Sequence, residues 1–258
     1  MLLPLPGFER RAHEAVTWLL EHMKHADVLV LTEIFSVVAA HIVIQGLQHH
    51  WRFILRPLGN KFGTDGGVLI ASRWAISQTF AMHFTDAVGM DRFAAKGVVA
   101  ALIHKPGMSP VVVAGVHMQA GTDESACGVR DKQWRHIQWF LQSYLEAAAR
   151  GVPRYIAGDF NEDMLRCKKP HSFQLCPVPP PAQDGFTFDL TANTLAAARA
   201  EEGDYTTNLD GILIDQTTPH RHIATSRIVY PRTKQKHPFT DHEALMAVIV
   251  SKRESKHT

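Results

Sequence analysis

Apolar residues recur along the chain with two periods, and the change from one to the other marks out the elements. From Phe8 to Lys24 the positions Ala12, Ala15, Val16, Leu19, Leu20 and Met23 repeat every three or four residues, which predicts a helix. Asp27 then introduces VLVLTEIF, a continuous apolar run that predicts a buried strand ending at Glu33. Ser36 is a capping residue for a second helix over roughly 37–48, and a strand follows at 51–55. Val68–Ala71 and Ile76–Phe84 read as the arms of a hairpin turning at Ser72–Trp74. GVVAALIH (97–104) and VVVAGVH (111–117) form a second pair across the turn Lys105-Pro106-Gly107.

A long helix is expected over 129–149, with Trp134, Ile137, Leu141 and Leu145 on one face; Gly151-Val152-Pro153 stops it. RYIAGDFN then reads as a strand running into a loop. Residues 166–186 hold five of the fourteen prolines and are expected to form an irregular surface loop. Three more strands fall near 209–215, 222–230 and 244–250. Strands with helices between them predict an α/β domain spanning 1–258, built as a two-sheet β-sandwich flanked by helices.

Composition narrows the function classes. Hydrophobic residues make up 45% and charged residues 20%, enough for a sizeable core. A net charge of +2 is too small to mark a polyanion binder, so nucleic acid is not the expected partner. The three cysteines, Cys127, Cys167 and Cys176, give neither a disulfide framework nor a zinc spacing. They read as thiols of a reducing compartment, with a Cys167–Cys176 loop bridge as the alternative. No apolar stretch reaches the roughly 20 residues of a membrane span, and Met1–Arg11 lacks the basic-then-apolar order of a leader. The expectation is a soluble, cytoplasmic chain; its oligomeric state is not legible.

The candidate chemistry sits where apolar strands end. Hydrolysing a phosphodiester calls for a hard cation on carboxylate ligands, a general base, and a carboxylate that orients the base. Glu33, after VLVL, is a candidate ligand for such a cation. Asp159-Phe160-Asn161 sends two polar side chains to one side if the segment is extended. Asp159 would hold a water and Asn161 would donate to a phosphate oxygen. Asp210 opens the apolar run GILI, the Asp241–His242 pair precedes the last strand, and His117 shares a strand face with Gln119. Each piece alone is an ordinary strand end, turn or structural histidine; the ordered set is specific.

That set resembles the endonuclease/exonuclease/phosphatase superfamily, the DNase I-like fold, over Ala12–Val250. Within it the chain is most similar to the neutral sphingomyelinases, through LTEIF, GGVLIASRWAI, DRFAAKGV, GVHMQAGTDES–GVRDKQW, AGDFNED, FTFDLTANT, LDGILI and TDHEAL. The resemblance implies hydrolysis of sphingomyelin to ceramide and phosphocholine at a membrane surface, with Mg²⁺, or Mn²⁺ in its place, as cofactor. It implies Glu33 as metal ligand and His242 as general base paired with Asp210. Asp159 and Asn161 would position water and phosphate, Asp241 would support the metal side, and His117 would stabilise the pentacovalent phosphorus. Asp91 and Lys96 match a regulatory pair in which Lys96, released from Asp91, reaches the phosphate; an exposed ion pair is the simpler reading.

The chain departs from the family in three places. The family's first strand, ending in Asn, has no counterpart in Met1–Gly7, and Gly211 replaces an aromatic. A long aromatic-tipped hairpin is absent from the pattern. The alternatives are a nuclease of the same superfamily, for which Arg232–His237 is the only basic cluster, and a catalytically weakened lipid-binding descendant.

Overall fold

The computed structural model describes residues 7–57, 59, 65–172, 175–178, 185–200, 204–216 and 222–251. The helical period at the start becomes α1 (Phe8–His22), which buries Ala12, Val16, Trp18 and Leu19. β1 (Val28–Ile34) leads to α2 (Val37–Leu47), capped by Ser36, whose side chain accepts from the Ala39 N–H. β2 (Phe53–Leu55) and β3 (Gly67–Ser72) follow, and β3 pairs antiparallel with both β1 and β2.

The larger sheet contains β4 (Ala75–His83), β5 (Gly97–His104), β6 (Val111–His117), β7 (Arg154–Asp159), β8 (Leu175–Pro177) and β9 (Asp210–Asp215) in the order β4-β5-β6-β7-β9-β8. β6 and β7 run parallel, joined by the crossover helix α3 (Glu124–Trp139), a π-turn over Phe140–Leu145 and α4 (Glu146–Ala148). Trp134, Ile137, Leu141 and Leu145 pack against Val112, Ala114, Ile156 and Leu213 on one face of this sheet. Val68 and Ile70 of β3 meet Val99, Ala101 and Ile103 of β5 on the other. α1 and α2 close the outside of β1 and β3 through Leu19, Val43, Leu47, Leu29 and Leu69. The layers therefore run helix, sheet, sheet, helix, as the sequence pattern predicts.

β10 (His222–Val229) and β11 (Ala244–Ser251) form a separate antiparallel pair. Among the described residues neither bonds to β1. Ala244 and Met246 of β11 nevertheless join Leu29 of β1 in the apolar cluster beneath α1. Among the described residues the second layer is thus a three-stranded and a two-stranded sheet joined by apolar packing rather than by backbone hydrogen bonds.

Three expectations need correction. Residues 68–84 are not a hairpin: β3 already has neighbours on both edges, so the chain turns at Ser72–Trp74 and crosses to the other sheet, where β4 pairs with β5. Ser72 Oγ accepts from the Trp74 N–H, and Trp74 Nε1 donates to Asp27 Oδ1 at 2.9 Å, pinning that corner. The segment 166–186 is not wholly irregular, since α5 (Lys169–Ser172) and edge strand β8 lie within it. Cys167 is a free thiol, so no Cys167–Cys176 bridge forms. The helix α6 (Thr194–Arg199), capped by Asn193, was not legible in the periodicity.

Candidate active site

The register of three neighbouring strands builds the site. His117 at the end of β6 pairs with Asp159 at the end of the parallel β7, and Asp159 pairs with Asp210 at the start of the antiparallel β9. Gly158 makes the close approach possible. Its φ is 147°, and a Cβ there would lie 2.0 Å from the Val116 carbonyl oxygen. His242 comes from the turn before β11 and lies across this row, with Nδ1 2.7 Å from Asp210 Oδ2. Donor atoms of Asp159, Asp210 and His242 all fall within 4.8 Å of one another.

Asp159 and Asn161 do not share a face by strand alternation, as the sequence suggested. The strand ends at Asp159, and Asn161 adopts a left-handed φ of 50°, forming a turn in which its N–H donates to Asp159 Oδ1 at 2.7 Å. Asn161 Nδ2 donates to the Met118 carbonyl at 3.1 Å, which anchors the side chain at the end of β6. His117 is buried and its Nε2 sits 3.6 Å from Asp159 Oδ2, while its Nδ1 has no partner. Burial, with Lys96 and His242 nearby, pushes the His117 pKa well below the usual histidine range, so the ring is neutral.

The carboxylates are crowded. Burial, opposed by His242 and reinforced by Asp210, pushes the Asp159 pKa up to about 7. Glu33 lies in a bulged end of β1 with φ 61°; its side chain reaches solvent at the rim although protein packs closely around it. That packing raises its pKa, and Asp241 raises it further. Burial works against the charged form of Asp241, yet His242 and Arg199, whose Nη1 lies 2.6 Å from Asp241 Oδ2, hold its pKa low. Burial likewise opposes the His242 cation, but Asp210, Asp159 and Asp241 carry its pKa well above the histidine range. His242 keeps 24% of its side chain accessible, so one edge of the ring is open to a ligand.

Lys96 is not an exposed partner of Asp91. Its side chain is 5% accessible, and Nζ donates to Asp91 Oδ2 and the Met118 carbonyl, both at 2.8 Å. Asp91 Oδ2 also accepts from the Ala120 N–H at 2.7 Å, fastening the loop after β6.

Polar residues that no sequence motif marks hold the Thr240–Glu243 turn in place. Glu243, 2% exposed, accepts from Arg232 Nη2 and Nη1 at 2.6 and 2.7 Å and from Asn193 Nδ2 at 3.0 Å. Asn193 also donates to the Thr240 carbonyl, and the Glu243 N–H donates to the Thr187 carbonyl. Thr187 Oγ1 accepts from the Asp210 N–H at 3.1 Å. The word FTFDLTANT thus locks the Thr240–Glu243 turn to β9 and sets the His242–Asp210 distance. The available signal was the acidic residue directly after Asp241-His242.

Comparison with known proteins adds a lineage. Residues 4–234 match the sequence model of the endonuclease/exonuclease/phosphatase family. The chain is 24% identical to a sphingomyelinase C of Bacillus cereus over 250 residues, covering 83% of this chain and 72% of that one. Its fold is similar to that of sphingomyelinase C from Streptomyces griseocarneus, with a TM-score of 0.77 at 22% identity, covering 96% and 93% of the two chains. It is similar also to a beta toxin variant of Staphylococcus aureus solved with bound magnesium ions, with a TM-score of 0.80 at 20% identity over 96% and 93%.

Proposed function

This chain belongs to the endonuclease/exonuclease/phosphatase family, and we propose that it is a Mg²⁺-dependent phosphodiesterase of the sphingomyelinase type. In this reading it cleaves sphingomyelin at a membrane surface to phosphocholine and a ceramide-like alcohol. The observation that carries the reading is the His242–Asp210 pair set beside the buried Asp159, with Glu33 at the rim. Sphingomyelinases among the relatives, and one neighbour holding magnesium, agree with it.

The residues fit a hard divalent ion. Burial raises the pKa of both Glu33 and Asp159, and a neighbouring carboxylate, Asp241 for the first and Asp210 for the second, raises each further; an added cation would offset both effects. Glu33 would hold the ion, supported by Asp241. Bound there, Mg²⁺, or Mn²⁺ in its place, would neutralise charge growing on the phosphate oxygens.

The chain's own groups would do the rest. His242 would take a proton from the attacking water on the ring edge that faces away from Asp210. Asp210 would fix the tautomer and hold the imidazolium through its 2.7 Å contact. Asp159 would orient that water. The second N–H of Asn161 Nδ2 and the neutral ring of His117 would donate to phosphate oxygens. Lys96 would raise the local potential from its tether; release from Asp91 would let it reach the phosphate.

The test sets sphingomyelin, lysophosphatidylcholine and DNA side by side with and without Mg²⁺. Phosphocholine release that is metal-dependent and lost in His242→Ala is the expected result. Absence of release at any metal concentration would refute the proposal. DNA cleavage alone would favour the nuclease alternative, and lipid binding without turnover the non-enzymatic one.

A further inference from the structure

α3 carries two buried polar side chains that the proposed chemistry leaves unused, Gln133 at 1% and Arg130 at 5% exposure. Both reach the loop that follows β6. Arg130 Nη1 donates to the carbonyls of Gln119 and Gly121 at 2.9 and 2.7 Å, and Nη2 donates to Cys127 Sγ at 3.2 Å. Among the described residues no carboxylate pairs with this guanidinium, and a buried cation without a counter-ion is costly. What it secures is Gln119, itself 4% exposed. The Gln119 N–H donates to Gln133 Oε1 at 2.9 Å, and Gln133 Nε2 donates to the Asp86 carbonyl at 3.1 Å. Gln119 Oε1 accepts from the Val88 N–H at 2.9 Å, while Nε2 donates to the carbonyls of Ala120 and Val88 at 2.8 and 3.3 Å. Every polar group of Gln119 is thus bonded, and the residue stitches the loop after β6 to the segment leading into the turn Gly89–Phe93.

This loop holds two side chains proposed to act on phosphate, Lys96 and Asn161. The Met118 carbonyl accepts from Lys96 Nζ at 2.8 Å and from Asn161 Nδ2 at 3.1 Å. The Met118 N–H donates to the Asp159 carbonyl at 3.0 Å. On the other side of Gln119, the Ala120 N–H donates to Asp91 Oδ2, the second partner of Lys96. Among the described residues every bond on Lys96 Nζ or Asn161 Nδ2 therefore ends on Met118 or on Asp91, which the loop holds. We infer that Gln119 is a positioning residue: gripped by Arg130, Gln133 and Val88, it sets where the Met118 carbonyl and Asp91 stand, and through them where Lys96 Nζ and Asn161 Nδ2 meet the phosphate. Hydrogen bonds fix direction as well as distance, and a misplacement of about 1 Å is enough to lower a rate. What the two donors act on rests on the proposed function; how they are held does not.

Gln119→Met keeps the length of the side chain and removes its bonds to Val88 and Ala120. With bis(p-nitrophenyl) phosphate and Mg²⁺, kcat should fall about tenfold while KM stays within about twofold, because the two donors act in the transition state. Arg130→Lys keeps the charge but loses the planar fork, and should lower kcat in the same way, about threefold. In a Lys96→Met background, Gln119→Met should lower kcat only about threefold or less, since one of the two donors it places is gone. Placement is read without turnover by treating the whole chain with acetic anhydride and mapping the acetylated lysines. Lys96, 5% accessible and doubly bonded, should react about tenfold faster in Gln119→Met than in the parent. Lys105, paired with Asp27 at the other end of β5, should react equally in both. Lys96 acetylation unchanged in both folded variants, an effect on KM alone, a kcat that rises, or a full tenfold loss in the Lys96→Met background would overturn the assignment. If Gln119→Met does not fold, Arg130→Lys decides by the same readouts. If the parent hydrolyses neither sphingomyelin nor the diester while Lys96 still becomes reactive in the variants, the positioning stands and the proposed function falls.

Discussion

Asp210→Asn removes one charge from the His242 pair while keeping its shape, so it isolates what the carboxylate does. Asp210 Oδ2 lies 2.7 Å from His242 Nδ1, and the two side chains are only 17% and 24% accessible, so water screens the contact weakly. A hydrogen bond between charged, partly buried groups contributes about 1.5–3 kcal/mol. If that energy is realised when His242 becomes an imidazolium in the transition state, kcat should fall about 10- to 150-fold. The pH profile carries an independent sign. Asp210 raises the His242 pKa against the opposing effect of burial, so its removal lowers it. The base is then free at lower pH, and the acidic limb of kcat should move toward lower pH while the plateau drops. Phosphocholine release measured across pH, with a melting curve for each protein, reads both effects. A kcat within about threefold of the parent in a fully folded variant would refute the reasoning. So would an acidic limb that stays in place or moves upward.

Three further outcomes rest on the same site and its supports. Folded Asp159 keeps its proton up to about pH 7, whereas aspartate ordinarily releases it near 3.8, so the metal-free parent should lose stability as pH rises between those values. Metal-free Asp159→Asn should therefore melt above the parent at pH 8 and level with it at pH 4, and Mg²⁺ should raise the parent's Tm more than the variant's; a parent Tm flat across that range contradicts this. Gly158→Ala puts a Cβ 2.0 Å from a backbone oxygen at a φ of 147°, costing about 2–5 kcal/mol and about 4–9 °C in Tm; a Tm within a degree or two of the parent would show the strand can yield. Arg232→Ala leaves the 2%-exposed Glu243 without its bidentate partner, and denaturant unfolding should show a loss of about 3–5 kcal/mol, with Glu243→Gln in the same background recovering part of it.

Strand positions were legible because their residues have no other use: VLVL, GVVAALIH and VVVAGV are apolar enough that only a doubly covered strand buries them. Strand partners were less so. A three-residue turn between two apolar runs reads locally as a hairpin, and nothing near Ser72–Trp74 reveals that β1 and β2 already hold both edges of β3. The site was legible as an ordered set of strand ends, and its residues do converge, though by different means than periodicity implied. Asn161 arrives through a left-handed turn rather than by alternation. The supporting shell was illegible for a physical reason: Arg232, Glu243 and Asn193 look like ordinary surface polar residues until the fold buries them against one another. Lys96 shows the same limit, since a lysine 5% accessible with two acceptors cannot be told from an exposed one by spacing.

The divided second layer bears directly on that site. Glu33 stands at the end of β1, and Asp241 and His242 stand just before β11, so the proposed ion-holding side and the proposed base are carried on the two strands that do not bond to each other. What fixes their separation is indirect. β1 is held through β3, β11 through β10, and the Thr240–Glu243 turn through Thr187, Asn193 and Arg232. Apolar packing of Leu29, Ala244 and Met246 beneath α1 spans the break. Such packing is non-directional and tolerates sliding, whereas a ladder of backbone hydrogen bonds does not. The electrostatics push the same way, since Asp241 raises the pKa of Glu33 across the break. A cation held between them would thus do structural work as well as chemical work, drawing together two halves of a site that the backbone leaves untied.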